Sequence, residues 1–240
     1  MSADMFAVID ATWPAAALHC AGAFMVREGQ GGGKRVSAAS LAGDWGEADI
    51  DAAILMQKQL GQPALFMIRP GETSLDAALA ARGFEVIDPV VVLAASAAQL
   101  ATETPPPITA FCLWPPLSIM RELWAEGDIG PGRLAVMERA PAPKSAVLGR
   151  SNDLAAGVGF VGMHGGVAML HGFYVLPEMR RRGLGRWMLR EAAFWAVAQG
   201  AQTLALVVTR ANAGAIGLYT GTGMQQVAEY HYRAAPGAIA

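Results

Sequence analysis

The sequence predicts an α+β (mixed α/β) protein, a mixed central sheet flanked by helices and laid down in two related halves. Three observations carry this expectation. Residues 101–107, ATETPPP, set three consecutive prolines in mid-chain, which favour extended backbone and forbid a continuous helix. Each half closes on the same order of strand, helix and strand. The second half opens with short apolar runs divided by turn residues, the pattern of an antiparallel meander. The expected organisation is a first domain over residues 1–100, a linker over 101–107 and a second domain over 108–240.

In the first half, FMVRE (24–28) and RVSAAS (35–40) read as strands, joined through GQGGGKR (29–35). That glycine run lacks the G-K-[ST] ending of a nucleotide-binding loop, because Arg35 follows Lys34, so a flexible hairpin connection is expected. LFMIR (65–69) follows as a strand, LDAALAARGF (75–84) as a helix stopped by Gly83, and VIDPVVVLAA (86–95) as a strand interrupted by Pro89.

Beyond the prolines, LWPPLSIMRELWAEG (113–127) contains a helix, and the candidate strands are RLAVMERA (133–140), SAVLGR (145–150), AAGVGFVGM (155–163) and GVAMLHGFYV (166–175). From Leu184, the residues Trp187, Met188, Ala192, Trp195 and Ala198 fall at helical spacing, with Gly200 as the stop. TLALVV (203–208) is a strand, AGAIGLYTGTG (213–223) contains a short helix, and VAEYHYR (227–233) alternates like a final strand. Residues 62–95 and 202–235 superpose these closing elements at a constant offset of 140 without gaps, which suggests a repeated unit.

Composition narrows the function classes. With 53% hydrophobic and 16% charged residues the chain can bury a substantial core, and a formal net charge of -2 offers no global attraction for nucleic acid. Cys20 and Cys112 are the two cysteines and have no metal-ligand spacing, so neither a metal site nor a disulfide framework is expected, and a reducing cytoplasm fits best. The start of the chain lacks a basic segment followed by an apolar core, as a secretory signal would have. LAAGVGFVGMHGGVAML (154–170) is nearly uncharged, but its five glycines and central HGG read as a buried hairpin rather than a membrane span. No membrane partner is expected, and a monomer or homodimer is.

The segment RRRGLG (180–185) carries the chemistry. Cations at the start of a helix are unfavourable by about 0.3–1 kcal/mol each when exposed. A glycine turn entering a helix also aims unpaired backbone N–H groups in one direction, which suits a multiply charged anion such as a diphosphate. Arg180, Arg181, Arg182 and Arg186 would neutralise it, while Gly183 and Gly185, on either side of Leu184, would let the backbone approach. A dinucleotide site would need G-x-G-x-x-G directly after a strand with an acid about twenty residues later; this loop lacks the first glycine pair and is strongly basic.

With these residues in place the chain resembles the GNAT superfamily of acyl-CoA-dependent N-acyltransferases. A strand ending in V-x-P, here Val175, Leu176 and Pro177, precedes [RQ]-x-x-G-x-[GA], here Arg180, Gly183 and Gly185. Further on, N-x-x-A-x-x-L-Y-x-x-x-G-[FM] is matched by Asn212, Ala215, Leu218, Tyr219, Gly223 and Met224. The resemblance covers roughly residues 108–235. The first half resembles the degenerate acyltransferase-like domain that precedes the active one in tandem members. At the offset of 140, Arg180, Gly185, Asn212 and Tyr219 fall on Ser40, Trp45, Glu72 and Leu79, so that copy has lost the cofactor-binding residues.

The resemblance implies an enzyme transferring an acetyl group from acetyl-CoA, without a metal, to an amine-bearing acceptor. It places backbone groups of Phe173, Tyr174 and Val175 along the pantetheine arm and thioester, the N–H groups of residues 180–185 on the pyrophosphate, and Asn212 on the cofactor arm. It makes Tyr219 the general acid toward the leaving sulfur. Relatives with a glutamate as base carry it at the position of Val207, which cannot accept a proton. The base is left open between a water, His171, whose unperturbed pKa lies near 6.5, and the more distant Glu138. A protein that binds acyl-CoA as a sensor without turnover is the alternative.

Overall fold

The computed structural model describes residues 4–237; the first three residues of the amino-terminal stretch considered above lie outside them. In chain order the elements are α1 (Met5–Thr12), β1 (Ala17–Ala21), β2 (Phe24–Glu28), β3 (Ala39–Leu41), α2 (Glu47–Gln59), β4 (Leu65–Ile68), α3 (Thr73–Ala81), β5 (Glu85–Ser96) and α4 (Ala97–Leu100). There follow β6 (Ala110–Leu113), α5 (Ser118–Glu126), α6 (Pro131–Arg139), β7 (Lys144–Ser151), β8 (Leu154–His164), β9 (Val167–Val175), α7 (Leu184–Ala198), β10 (Thr203–Thr209), α8 (Ala213–Thr220) and β11 (Gln225–Ala234). The expected mixed α/β class holds. Among the described residues no helix is long and apolar enough to cross a membrane, and residues 154–170 form the β8–β9 hairpin.

The chain divides into two compact units. One comprises the segment ending at Pro14, Val92–Val208 and Asn212–Val227; the other comprises Ala15–Val91, Thr209–Ala211 and the segment from Ala228. This partition interleaves the sequence halves 1–100 and 108–240, because β5 changes unit after Val91 and β11 after Val227. The proline-rich stretch from Ala101 carries no helix or strand.

In the first unit the strand order is β5-β10-β9-β8-β7-β6. Strands β6 to β9 form an antiparallel meander, and β9 pairs in parallel with β10. Helix α7 buries Leu184, Met188, Leu189, Ala192, Ala193 and Ala196, a stripe of helical period. It lies close to the sheet because Gly149 and Gly157 lack side chains, and an added Cβ there would meet the Met188 sulfur at 2.4 and 2.6 Å. Gly162, of opposite parity on β8, faces Thr12 of α1 instead. Helices thus cover both faces of the sheet.

One expected strand is a helix. RLAVMERA lies mostly within α6, where Pro131 occupies the first turn and Leu, Ala, Met, Glu and Arg all favour helix. Val136, Met137 and Ala140 are buried at helical rather than alternating spacing. The first strand of the meander is β6 instead.

In the second unit the order is β1-β2-β3-β4-β11-β5, with β3 and β4 parallel and the β1–β2, β2–β3 and β4–β11 pairs antiparallel. Its core joins Ile50 and Ala53 of α2 with Leu75 and Leu79 of α3 around Phe24, Phe66 and Phe84, whose rings meet edge to face at 5.4 and 5.6 Å. The offset seen in the sequence recurs in the coordinates. Helices α3 and α8 start at 73 and 213, and strands β5 and β11 at 85 and 225, a spacing of 140 in both cases. The turns between them share three bonds: the N–H groups of Arg82, Gly83 and Phe84 donate to the carbonyls of Leu79, Ala80 and Leu79 as those of Thr222, Gly223 and Met224 do to Tyr219, Thr220 and Tyr219.

Asp76 of α3 ties this unit to its last strand. Arg233 donates to it through Nε at 2.7 Å and Nη2 at 3.1 Å, and His231 Nε2 lies 2.8 Å from the same carboxylate. The Arg233 hydrogen bonds outweigh burial and hold the Asp76 carboxyl below its usual range. A carboxyl with a lowered folded pKa stabilises the unit above its unfolded value of about 3.9, and that contribution is lost as pH falls through the folded value. Asp76→Asn is therefore expected to lower the melting temperature near neutrality and to flatten its decline below about pH 4; a series of thermal melts against pH reads this directly.

Candidate active site

The site is assembled within the first unit where two parallel strands separate. β9 and β10 are in register only from Val167 with Thr203 to Leu170 with Leu206. Beyond those pairs His171–Val175 remain on the β8 ladder while β10 departs, which opens a wedge along one edge of β9.

The strand changes phase at that point. Phe160 pairs with His171 and Val158 with Tyr174, so Gly159 alone is opposed by both Gly172 and Phe173. This is a β-bulge, and its extra residue, Gly172, takes φ +53, the left-handed conformation that glycine accepts readily. The ring of Phe173 packs toward Gly159 and meets Tyr219 edge to face at 6.3 Å. Tyr174 covers Gly127, where a Cβ would come within 2.7 Å of the ring, and carries the Arg180 guanidinium at 5.8 Å from its centroid.

After Val175 and a short turn at Pro177–Met179, Arg181 takes φ +62 and Gly183 φ +84, and α7 begins at Leu184. Among the described residues, the backbone N–H groups of 181–185 have no backbone acceptor, as the first turn of a helix requires. Leu184 is buried and anchors this turn, whereas Arg181, Arg182, Gly183 and Arg186 are exposed. Arg180 is used partly by the fold, because its Nε donates to the Val175 carbonyl at 2.9 Å. Open space surrounds Gly183, since an added Cβ would meet nothing within 4 Å, while at Gly185 it would meet Leu218 of α8 at 3.0 Å.

Tyr219 is 5% exposed, and burial raises its phenol pKa well above the usual range, so the hydroxyl keeps its proton. Asn212 is exposed and caps α8, its Oδ1 accepting from Ala215 N–H at 3.1 Å, a bond that fixes the turn leading to Tyr219. Val207 lies half-buried on β10.

His171 has other surroundings. It is 3% exposed, lies between the Trp13 and Phe160 rings at 4.9 and 6.3 Å, and its Nε2 is 2.8 Å from Thr12 Oγ1. That hydroxyl already donates to the Val8 carbonyl at 2.7 Å, so the hydrogen-bond pattern assigns the proton of the shared bond to Nε2. These are the surroundings of a core histidine, at one of the candidates among which the sequence leaves the base open. Glu138 is exposed and paired with Arg121 at 3.0 Å. Trp187 and Trp195, which fall at helical spacing in α7, are half-buried, with Arg190 stacked on Trp187 at 4.9 Å.

Reading the sequence missed Trp124 and Gly127, which press α5 and the turn after it onto β9. The glycine in LHGFYV was the available signal.

Residues 113–224 match the Acetyltransferase (GNAT) family model. The chain is 27% identical over 232 residues to the uncharacterized N-acetyltransferase YobR of Bacillus subtilis (strain 168), covering 93% of this chain and 94% of that one. Its fold superposes on a GCN5-related N-acetyltransferase from Kribbella flavida with a TM-score of 0.71 at 20% identity, over 95% of this chain and 93% of that chain. A tandem GNAT protein from the clavulanic acid biosynthesis pathway superposes with a TM-score of 0.59 at 13% identity, over 82% and 74%. The wedge, the glycine loop and Tyr219 all fall inside the segment 113–224, which is a GNAT acetyltransferase domain by that match.

Proposed function

We propose that the protein is a cytoplasmic N-acetyltransferase that moves an acetyl group from acetyl-CoA to a primary amine by direct attack, and that its first half is a degenerate copy of the acyltransferase domain. The row of unbonded amides at 181–185, set at the end of β9 where the strands part, is the observation that carries the cofactor reading. Backbone donors without a backbone acceptor at a helix start, with the exposed Arg180, Arg181, Arg182 and Arg186 beside them and open space over Gly183, fit a diphosphate.

Bound acetyl-CoA supplies an acetyl group activated as a thioester. Residues 173–175 offer the backbone edge left free by the departure of β10. Tyr219, kept protonated by burial, gives its proton to the sulfur as that group leaves. Asn212 holds the first turn of the helix that carries Tyr219. Burial pushes the Cys112 thiol up, which removes it as a thiolate nucleophile and supports direct attack. With valine at 207 and His171 enclosed, the amine loses its proton to water.

Calorimetric titration of the wild type with acetyl-CoA, followed by thiol release over a panel of small amines, amino acids and peptide N-termini, tests this reading. Binding accompanied by thiol release with at least one amine supports it; a folded protein that does not bind acetyl-CoA overturns it. The absence of a carboxylate at Val207 favours one other reading, an acyl-CoA sensor, which requires binding without thiol release for any amine.

A further inference from the structure

Trp124 is wholly buried in α5, and its indole N–H donates to the carbonyl oxygen of Gly172 at 2.8 Å. Gly172 is the residue that puts the bulge into β9. In a regular strand, residues two apart face the same side. Here His171 faces Thr12 of α1 while Phe173 faces Gly159 and Tyr219, and Gly159 shares its face with Gly157, which fronts α7. One extra residue has reversed the phase of everything after it, side chains and backbone groups alike.

Glycine takes the left-handed conformation without strain, so what the surroundings must specify is where along the strand the bulge falls. Two contacts do so at this position. The indole N–H fixes the Gly172 carbonyl from one direction, and a Cβ added there would lie 3.0 Å from Met137 Cε and 3.4 Å from Trp124 Nε1. The bulge also falls two residues past Leu170, where β9 loses its partner β10 and no second ladder holds it in register.

We propose that Trp124 is a positioning residue for acyl transfer: through the Gly172 carbonyl it locks the phase of β9, and so directs the backbone of residues 173–175 at the thioester carbonyl. The proposal rests on the reading that acetyl-CoA occupies the wedge. Trp124 touches no reacting atom itself. It acts as a clamp on the strand that does, whereas the diphosphate amides sit on the next turn, which the buried Leu184 of α7 anchors separately.

The test uses the full chain and acetyl-CoA labelled with carbon-13 at the carbonyl. Infrared difference spectra report the frequency of the bound thioester carbonyl, and calorimetry reports affinity. In the wild type the carbonyl should absorb below its frequency in free acetyl-CoA. Trp124→Phe, which keeps a ring and loses the N–H, is expected to return the band most of the way to the free value while changing affinity by less than about threefold, because the diphosphate contacts remain. Leu123→Ala, a buried truncation in the same helix without a hydrogen bond, controls for loosened packing and should leave the band in place.

Gly172→Ala strains the bulge with the indole intact, and it decides the matter if Trp124→Phe does not fold. An unchanged band in the folded Trp124→Phe or Gly172→Ala variant overturns the proposal, as does an equal displacement in Leu123→Ala. Failure of the wild type to bind acetyl-CoA overturns the site reading itself, and the clamp with it; retained affinity with an unmoved band overturns the clamp alone.

Discussion

Tyr219→Phe is expected to lower kcat by about 10²–10⁴-fold with an accepted amine, the range for loss of a positioned general acid. Affinity for acetyl-CoA should stay near that of the wild type, because the phenol ring and its contact with Phe173 remain. The fold should tolerate the change well, since among the described residues no hydrogen bond to the Tyr219 hydroxyl is formed, and thermal melts will check this. A variant with wild-type turnover would remove Tyr219 from the mechanism. The loss should also be smaller for acyl donors whose leaving thiol is more acidic, because a better leaving group needs less help from an acid.

Gly183→Glu is expected to weaken acetyl-CoA binding by about 100-fold or more, because a carboxylate would occupy the space over the amides of 181–185. Gly183→Ala separates the two consequences of the change. Both variants bear the strain of a left-handed residue at φ +84, about 1–2 kcal/mol, but only the glutamate brings charge to the anion site. Equal loss of affinity in both would mean that backbone conformation alone determines binding. Gly185 is a poorer place for this test, because any side chain there would press on Leu218 before reaching a ligand.

What the sequence disclosed was local. The turn into α7 and the paired turns after α3 and α8 rest on glycines and short-range hydrogen bonds, whose residue preferences can be read without knowing the rest of the fold, whereas the cap that Asn212 provides for α8 emerged from the structure. Distant partners were hidden. His171 looks like an available base until Thr12, 159 positions earlier, is brought against it, and the value of Trp124 depends on a carbonyl 48 positions later. The RLAVMERA segment misled because an apolar run between turn residues suits either element, and helix propensity together with Pro131 decided it. The compact units were illegible for a related reason. Composition marked the prolines at 105–107 as the natural break, whereas pairing across the sheets assigns the closing residues of the chain to the unit that begins at Ala15.

That last assignment bears on how the protein is made. His231 to Ala234 pair with Ile68 to Leu65, and Arg233 completes the hold on Asp76. During synthesis β4 is made long before β11, and until β11 pairs with it β4 presents an unpaired edge of residues that are all buried in the folded chain, LFMI, to whatever is nearby. A chain severed at the prolines would keep that edge exposed permanently. This edge of β4 is therefore covered only in a chain read through to β11.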